Sequence, residues 1–396
     1  MGFIPILNKP VMRIVLFTHP SFMQSQSMPR YAKMLLDYFK SKEYKIDAWS
    51  PKPFFYKVGF SSFTRKWFGY VDQYLVFPIV VWFRLMKCEA GTLFVFADQA
   101  LGPWVPLVAN RKHVVHCHDF LALRSALGEL PENPTSKTGN WYQAFIRAGF
   151  SKGRNFISVS KQTEKELRLY YKGTSLEKLA VIYNGLNQPY VCLNKNDARK
   201  KMEEYLSCSF PKGYILHVGG NDWYKNRIGV VEIYVTWRNR YGIDVPLVLL
   251  GNAPNDAIMK KIELSSYSSS IHVLKNPPSE MLNIAYSGSN VLLFPSLAEG
   301  FGWPIAEAMA SGTLILTTNE APMTEVGGEH SFYMDRMPFD LNAQQKWAHN
   351  SAAKLQQVLD LSVDETNVRI QQGIQQAQKF TTEKCLTAIE VFYKTL

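Results

Sequence analysis

Short apolar runs recur along the chain at spacings wide enough for a helix to lie between them. In the first half they are Met12–Phe17, Leu93–Ala97, His113–Cys117 and Asn155–Ser160. In the second half they are Tyr214–Val218, Val245–Gly251, Ile271–Leu274, Val291–Phe294 and Leu314–Thr317. Runs of this length, bounded by polar or turn-forming residues, predict buried strands. Helical stretches alternate with them: Tyr31–Phe39 is amphipathic, a helix starts at Lys161 with Ser160 or Thr163 as its cap, and Glu383–Tyr393 closes the chain. This alternation calls for parallel sheets covered on both faces, an α/β fold. At 396 residues the chain exceeds one ordinary core and suits two doubly wound sheets of roughly 190 residues each. Such sheets bind ligands outside the carboxyl ends of their strands, which directs attention to the loops that follow the runs.

The loop after Val291–Phe294 is the richest in chemistry, reading FPSLAEGFGWPIAEAMASG over residues 294–312. Gly300 and Gly302 bracket a turn, Pro304 suits a first helical position, and Gly312 stops the helix. A strand, a glycine loop and a helix N-terminus together make a ready site for a phosphate or diphosphate. Glu299 in the loop and Glu307 in the helix flank it. Two carboxylates either side of a diphosphate can hold the two polyols of a nucleotide sugar, its ribose and its hexose. For either glutamate alone a plainer reading stays open, with Glu307 complementing the helix dipole and Glu299 a solvated loop residue. Tyr214–Val218 feeds a second candidate loop, in which Gly219 and Gly220 precede Lys225 and Arg227. Glycine lets the backbone approach a phosphate, and a nearby cation neutralises it. The third, HCHDF after Val115, sets His116 and His118 on one strand face with Asp119 beyond. These are hydrogen-bonded strand-end histidines or, less simply, part of a metal site whose remaining ligands are missing.

The segment E-G-F-G-x-P-x-x-E, from Glu299 to Glu307, resembles the E-x7-E signature of the retaining family 4 glycosyltransferases, which have the two-lobed GT-B fold. The resemblance implies two Rossmann-like lobes facing a cleft. Residues 1–185 would form an N-terminal, acceptor-side lobe and 186–379 a nucleotide-sugar-binding lobe, with the final helix, 380–396, packing back on the first. The crossing falls at VIYNGLN, near Gly185. It also implies roles. Glu299 would contact the donor sugar and Glu307 the ribose, while the amides of Phe301 and Gly302, next to Gly300, would face the diphosphate. Lys225 matches the family's diphosphate lysine, but the family arginine after the first glycine is Gly220 here, and Arg227 is the candidate replacement. His118-Asp119 matches the pair that lines the cleft, His118 orienting the sugar and Asp119 lying on the acceptor side. The stretch VVHCHDFLALRSALGE is similar to bacterial members that act on cell-surface polysaccharides. No cofactor or metal is implied, and the chain has no D-x-D pair.

Composition narrows the function further. The charge is uneven: residues 1–185 carry 25 Lys and Arg against 12 Asp and Glu, a net +13, and the remainder is close to neutral. A basic half implies an anionic partner. Nucleic acid is disfavoured, because no nucleic-acid-binding module is legible and the cations line no single helix. Between Phe54 and Tyr70 eight positions are aromatic, interleaved with Lys57, Arg65 and Lys66 and followed by Arg84 and Lys87. Rings and cations together suit an anionic membrane surface; the competing reading packs these rings into the N-terminal core or the cleft wall. No run is apolar and long enough to span a bilayer, the nearest, Tyr74–Phe83, being short and broken by Pro78. The opening MGFIPILNKP lacks a signal peptide's basic start and long apolar core. The five scattered cysteines contain no C-x-x-C pair, which fits a reducing cytoplasm.

The expected function is a glycosyltransferase that moves a hexose from a nucleoside diphosphate sugar to a glycan or lipid-linked acceptor in the cytoplasm, peripheral on the inner face of the cytoplasmic membrane. A sugar-nucleotide epimerase on the same fold and a non-catalytic bilobal sugar-binding module are the alternatives.

Overall fold

The computed structural model of the protein describes residues 12–23 and 27–396. The opening segment read for a signal peptide, and part of the loop after the first strand, lie outside the described residues. The chain divides into two compact units. Residues up to Leu127, Thr135–Tyr183 and Cys385–Leu396 form the first; Gly128–Pro134 and Asn184–Lys384 form the second. The chain thus enters the second unit briefly at 128–134 before the main passage at Asn184.

The first unit is built on six parallel strands: β1 (Arg13–Phe17), β2 (Lys45–Trp49), β3 (Leu93–Phe96), β4 (His113–Cys117), β5 (Asn155–Ser158) and β6 (Lys178–Val181), in the order β2-β1-β3-β4-β5-β6. Because side chains alternate along a strand, β1 and β3 feed two separate cores. Val15, Phe17, Phe94 and Phe96 pack on one face with Phe77, Trp104 and Phe150. Ile14, Leu16, Leu93 and Val95 pack on the other with Leu35 and Phe39 and with Leu386, Ile389 and Tyr393 of the last helix, Thr382–Lys394. Ser160, not Thr163, caps the helix Lys161–Tyr170, accepting from the Thr163 amide at 3.0 Å.

The second unit repeats the plan with β7 (Ile215–Val218), β8 (Leu247–Gly251), β9 (Ile271–Lys275), β10 (Val291–Phe294), β11 (Leu314–Thr318) and β12 (Phe332–Met334), all parallel, in the order β12-β11-β10-β7-β8-β9. Three strands were not legible as apolar runs: β2, β6 and β12. All three are sheet edges, and edge strands are exposed along one side, so β2 reads as KIDAW with Lys45, Asp47 and Ala48 outward.

The aromatic-basic segment is two helices, Ser62–Val71 and Phe77–Leu85, joined by a π-helical turn, Asp72–Val76. The buried Asp72 carboxylate accepts from the amides of Phe55 and Tyr56 at 3.0 and 2.9 Å and so pins the preceding loop. Phe77 and Val81 enter the core. Phe54, Phe60, Phe63, Trp67, Trp82 and Phe83 do not; they are exposed, Phe60 by 87%. Of the rings between Phe54 and Tyr70, the core reading therefore fails for Phe54, Phe55, Phe60, Phe63 and Trp67, which are exposed.

The last helix is tied down by polar contacts as well as by its apolar face. His116 on β4 is fully buried between two tyrosines, its Nδ1 2.6 Å from the Tyr31 hydroxyl and its Nε2 2.7 Å from that of Tyr393. Both ring nitrogens are engaged, so His116 is not available to a metal. Burial pushes its pKa down to about 3, and burial does the same to His217 in the second unit. Unfolded histidines take up a proton near pH 6.5, so this stability is fully present above about pH 6.5 and is lost as pH falls towards 3. The thermal midpoint should accordingly decline through that window, and a midpoint unchanged from pH 7 to 4 would contradict the assignment. At neutral pH Tyr393→Phe should cost about 1–3 kcal/mol by stranding a buried imidazole nitrogen.

Candidate functional site

The strand order of the second sheet reverses at its centre. From β7 the chain proceeds to β8 and β9 on one side, then returns to β10 on the other. In a doubly wound sheet such a reversal marks the place at the carboxyl edge where ligands bind, here the loops after β7 and β10. Backbone fit sets the β7 loop. The Gly219 amide donates to Leu250 O at 3.0 Å. Gly251 has φ +138°, and a Cβ there would lie 2.1 Å from Gly219 O, so only glycine permits this approach. Asn226, in the left-handed region at φ 52°, starts the helix Arg227–Tyr241 by accepting from Gly229 N and donates its Nδ2 to Pro295 O at 3.0 Å. Leu297 N donates to Tyr224 O at 2.7 Å. The two loops are stitched together before any ligand arrives.

Across this seam lies an ion pair. Lys225 Nζ donates to both oxygens of Glu299, at 2.7 and 3.0 Å, and Ser296 Oγ lies 2.7 Å from Oε1. The side chains are only 15% and 7% exposed. The ammonium lies over the Tyr224 and Phe294 rings, 5.1 and 5.3 Å from their centroids. Sequence placed these residues 74 positions apart; the fold makes them partners. Glu299 is therefore not a solvated loop residue.

Arg227 is more deeply buried, 2% exposed. Its Nη1 donates to Asn221 Oδ1 at 2.8 Å and to Asn252 O at 2.9 Å, while Nε and Nη2 are buried with no partner. Desolvation pulls its pKa down to about 10, still a cation at neutral pH. Gly219 and Gly220 lie alongside: a Cβ on Gly219 would meet His217 Nε2 and Lys225 carbons, and one on Gly220 would come within 3.1 Å of Asn252 and Asp222 oxygens. His217, which the sequence reading passed over as part of a strand, donates its Nδ1 to Leu293 O at 3.0 Å and leaves Nε2 buried without a partner. A cation with two unsatisfied donors under a glycine loop is a site prepared for an anion.

The helix after β10 runs Trp303–Ala310 with Gly302 as its N-cap at φ 97° and no side chain capping its first amides. Gly300 and Phe301 lead into it, and the Phe301 ring is buried edge-on to Phe380 at 5.4 Å. Glu307 is 6% exposed, and the Tyr286 hydroxyl donates to its Oε2 at 2.8 Å. Tyr286 was not legible as a site residue, lying 21 positions earlier on another helix. Its fixed hydrogen bond orients the carboxylate, which mere dipole complementation would not require.

In the first unit His118 follows β4 and is 6% exposed. Its Nε2 donates to Ala97 O at 2.9 Å and its amide to Gln99 Oε1 at 2.8 Å. Gln99 Nε2 donates to Asp119 O, and Asp119 Oδ1 accepts from Leu121 N at 3.1 Å. Burial keeps His118 neutral. Gln99 is thus the clasp that fixes the HD pair, and nothing in its sequence context marked it.

The ion pair yields a stability prediction. Lys225→Met leaves Glu299 buried without its counter-ion and should cost about 3–5 kcal/mol. In thermal unfolding, adding Glu299→Gln to that variant should recover most of the loss. If the single variant melts like wild type, the pair is not electrostatically coupled.

Residues 209–372 match the family model described as "Glycosyl transferases group 1". The chain is 30% identical over 187 residues to O-antigen chain mannosyltransferase B of Escherichia coli, covering 47% of this chain and 46% of that protein. It is 24% identical over 196 residues to O-antigen chain mannosyltransferase RfbU of Salmonella typhimurium, covering 49% and 50%. The matches thus span about half the length of these curated relatives. Among solved structures it resembles Anabaena HepE in complex with UDP and glucose, with a TM-score of 0.70, 16% identity and 97% of this chain and 100% of that one covered. The structural likeness shows the fold, two doubly wound parallel sheets of the GT-B class. The stretch similar to the glycosyl transferases group 1 model, residues 209–372, holds Lys225, Arg227, Glu299 and Glu307.

Proposed function

We propose that the protein is a retaining glycosyltransferase that moves a hexose from a nucleoside diphosphate sugar to a glycan or lipid-linked acceptor in cell-surface polysaccharide synthesis. The observation that carries this reading is the buried Arg227 with two unpartnered donors beside the Lys225–Glu299 pair at the β7/β10 crevice. As the bond from the anomeric carbon to the diphosphate breaks, negative charge grows on the leaving oxygens. Fixed donors that gain strength with that charge lower the barrier more than they tighten the ground state. Lys225, Arg227 and the amides of Phe301 and Gly302 supply them. Glu299, already held by Lys225 and Ser296, receives hexose hydroxyls, and Glu307, held by Tyr286, receives the ribose. His118 orients the sugar, and Asp119 faces the acceptor. No cofactor or metal enters this scheme. The mannosyltransferase relatives and the UDP and glucose bound by the structural neighbour support a donor of this class.

Isothermal calorimetry with UDP-glucose and GDP-mannose tests it. Arg227→Ala should weaken binding of the cognate donor by about 1.5–3 kcal/mol, the worth of hydrogen bonds to a charged group, and Glu307→Gln by about 1–3 kcal/mol. Lys225→Ala should also lower kcat. Wild-type affinity in Arg227→Ala would remove the arginine from the diphosphate site, and failure of the wild type to bind any nucleotide sugar would remove the reading itself.

The acceptor part rests on the first unit's surface. The exposed ring of Phe60, just before the first of the two helices, and those of Phe63, Trp67, Trp82 and Phe83 on them are interleaved with Arg65, Lys66 and Arg84, within the half of the chain that carries net +13. No helix among the described residues is long and apolar enough to cross a membrane. This surface docks on the anionic cytoplasmic face of a membrane, each cation near it contributing about 1 kcal/mol. Liposome sedimentation should rise with anionic lipid content and fall with salt. A Phe60→Ser/Trp82→Ser variant should sediment less; equal, negligible binding to neutral and anionic vesicles would point to an acceptor that is not membrane-borne.

A further inference from the structure

The loop that carries Glu299 is fixed atom by atom. Asn226 Nδ2 donates to Pro295 O at 3.0 Å, Thr318 Oγ1 to Ser296 O at 2.7 Å, and Leu297 N to Tyr224 O at 2.7 Å. The carbonyl of Leu297, two residues before Glu299, has a partner from another part of the chain. Arg336, two positions past β12, donates its Nε to that oxygen at 3.0 Å. Arg336 is held in turn. Its Nη1 lies 2.7 Å from Oε1 of Glu132, the two side chains being 23% and 12% exposed, and its Nε lies 3.7 Å from a carboxylate oxygen of the more exposed Glu320. Glu132 belongs to the excursion Gly128–Pro134, which packs with the second unit although the chain on either side belongs to the first. Both partners of the ion pair are thus in the second unit. Gly128, at φ +78°, opens the excursion, and Leu130 within it is buried.

We propose that Arg336 is a positioning residue for Glu299, and that the excursion 128–134 is a strap that aims Arg336 through Glu132; the proposal rests on the transferase reading above, in which Glu299 receives the hexose. A guanidinium presents its donors in a rigid planar fork. With Nη1 on the Glu132 carboxylate, the direction of Nε is set as well, and Leu297 O receives a donor already aimed. The restraint passes from Leu297 to Glu299 along a backbone whose peptide links are planar and leave few soft dihedrals. Lys225 and Ser296 hold the carboxylate of Glu299 itself. Backbone and side chain are therefore fixed separately, and a group that must meet a sugar hydroxyl needs both to within about 0.5 Å. Stability accounts poorly for the strap. A partly exposed ion pair adds little to it, and Oε2 of Glu132 is buried without a hydrogen-bond partner, which costs the fold free energy.

The test uses the full chain and compares calorimetric affinity for a nucleotide sugar with that for its bare nucleotide: UDP-glucose against UDP, or GDP-mannose against GDP, whichever pair the wild type binds. On the proposed reading Glu299 meets only the hexose, so a misplaced loop is felt by the first ligand and not by the second. Arg336→Met should weaken the nucleotide sugar about 3- to 10-fold, the worth of one net hydrogen bond, and leave the bare nucleotide unchanged. Glu132→Ala should act in the same direction, since Arg336 stays but is no longer aimed. Glu132→Gln, which keeps an acceptor for Nη1, should restore most of the affinity. Hydrogen exchange reads the loop without any ligand: the amides of Leu297–Glu299 should exchange about tenfold faster in Arg336→Met and Glu132→Ala, while those of β10 stay protected. Equal weakening of both ligands, or variants that melt earlier with wild-type affinities, would make the strap a structural tie and overturn the proposal. Unchanged exchange in the loop overturns the strap alone; a wild type that binds neither nucleotide sugar overturns the transferase reading, and the role of Glu299 with it.

Discussion

Parallel strands all end on one edge, and a doubly wound sheet must reverse its strand order somewhere along that edge. This constraint governs both units. The reversal brings together loops remote in sequence, and each unit sets a hydrogen-bonded pair of side chains there: Lys225 with Glu299 between β7 and β10, His19 with Asp98 between β1 and β3. A largely buried ion pair such as Lys225–Glu299 is poor evidence for stability, because desolvation offsets most of the Coulomb gain. Apolar side chains would fill that place at no such cost. Arg227 sharpens the point. A guanidinium 2% exposed with two idle donors weakens the fold, and an anion that engages them returns that free energy as affinity.

What was legible in the sequence follows from which signals are local. Central strands such as Phe94–Phe96 and Leu292–Phe294 are buried on both faces and appear as unbroken apolar runs, so both sheets and their α/β class could be read. The edges β2, β6 and β12 need apolar residues on one side only, and that weaker signal was lost among polar neighbours. The glycine loop and its two glutamates were visible because strand, loop and helix are contiguous there. Their partners were not. Ser296 was in plain view without a role, and Tyr286 reaches Glu307 from a different helix.

Pairing across the chain explains the remaining misses. His19 and Asp98 are 79 positions apart and each is unremarkable alone, a histidine in a polar loop and an aspartate after a strand. Only the β1–β3 register brings them together. His116 and His118 show the converse: two positions apart and expected on one strand face, they take separate partners in the structure, one enclosed by Tyr31 and Tyr393 and the other bonded to Ala97 O. Proximity along the strand suggested a shared metal; the hydrogen-bond partners rule it out for His116, whose two nitrogens are both engaged.

On the proposed reading, the chemistry of a glycosyl transfer makes its first demand on the second unit. A departing diphosphate needs cations that do not titrate near neutrality, held where water does not screen them. Arg227, whose pKa falls only to about 10, meets that need, and a histidine would not.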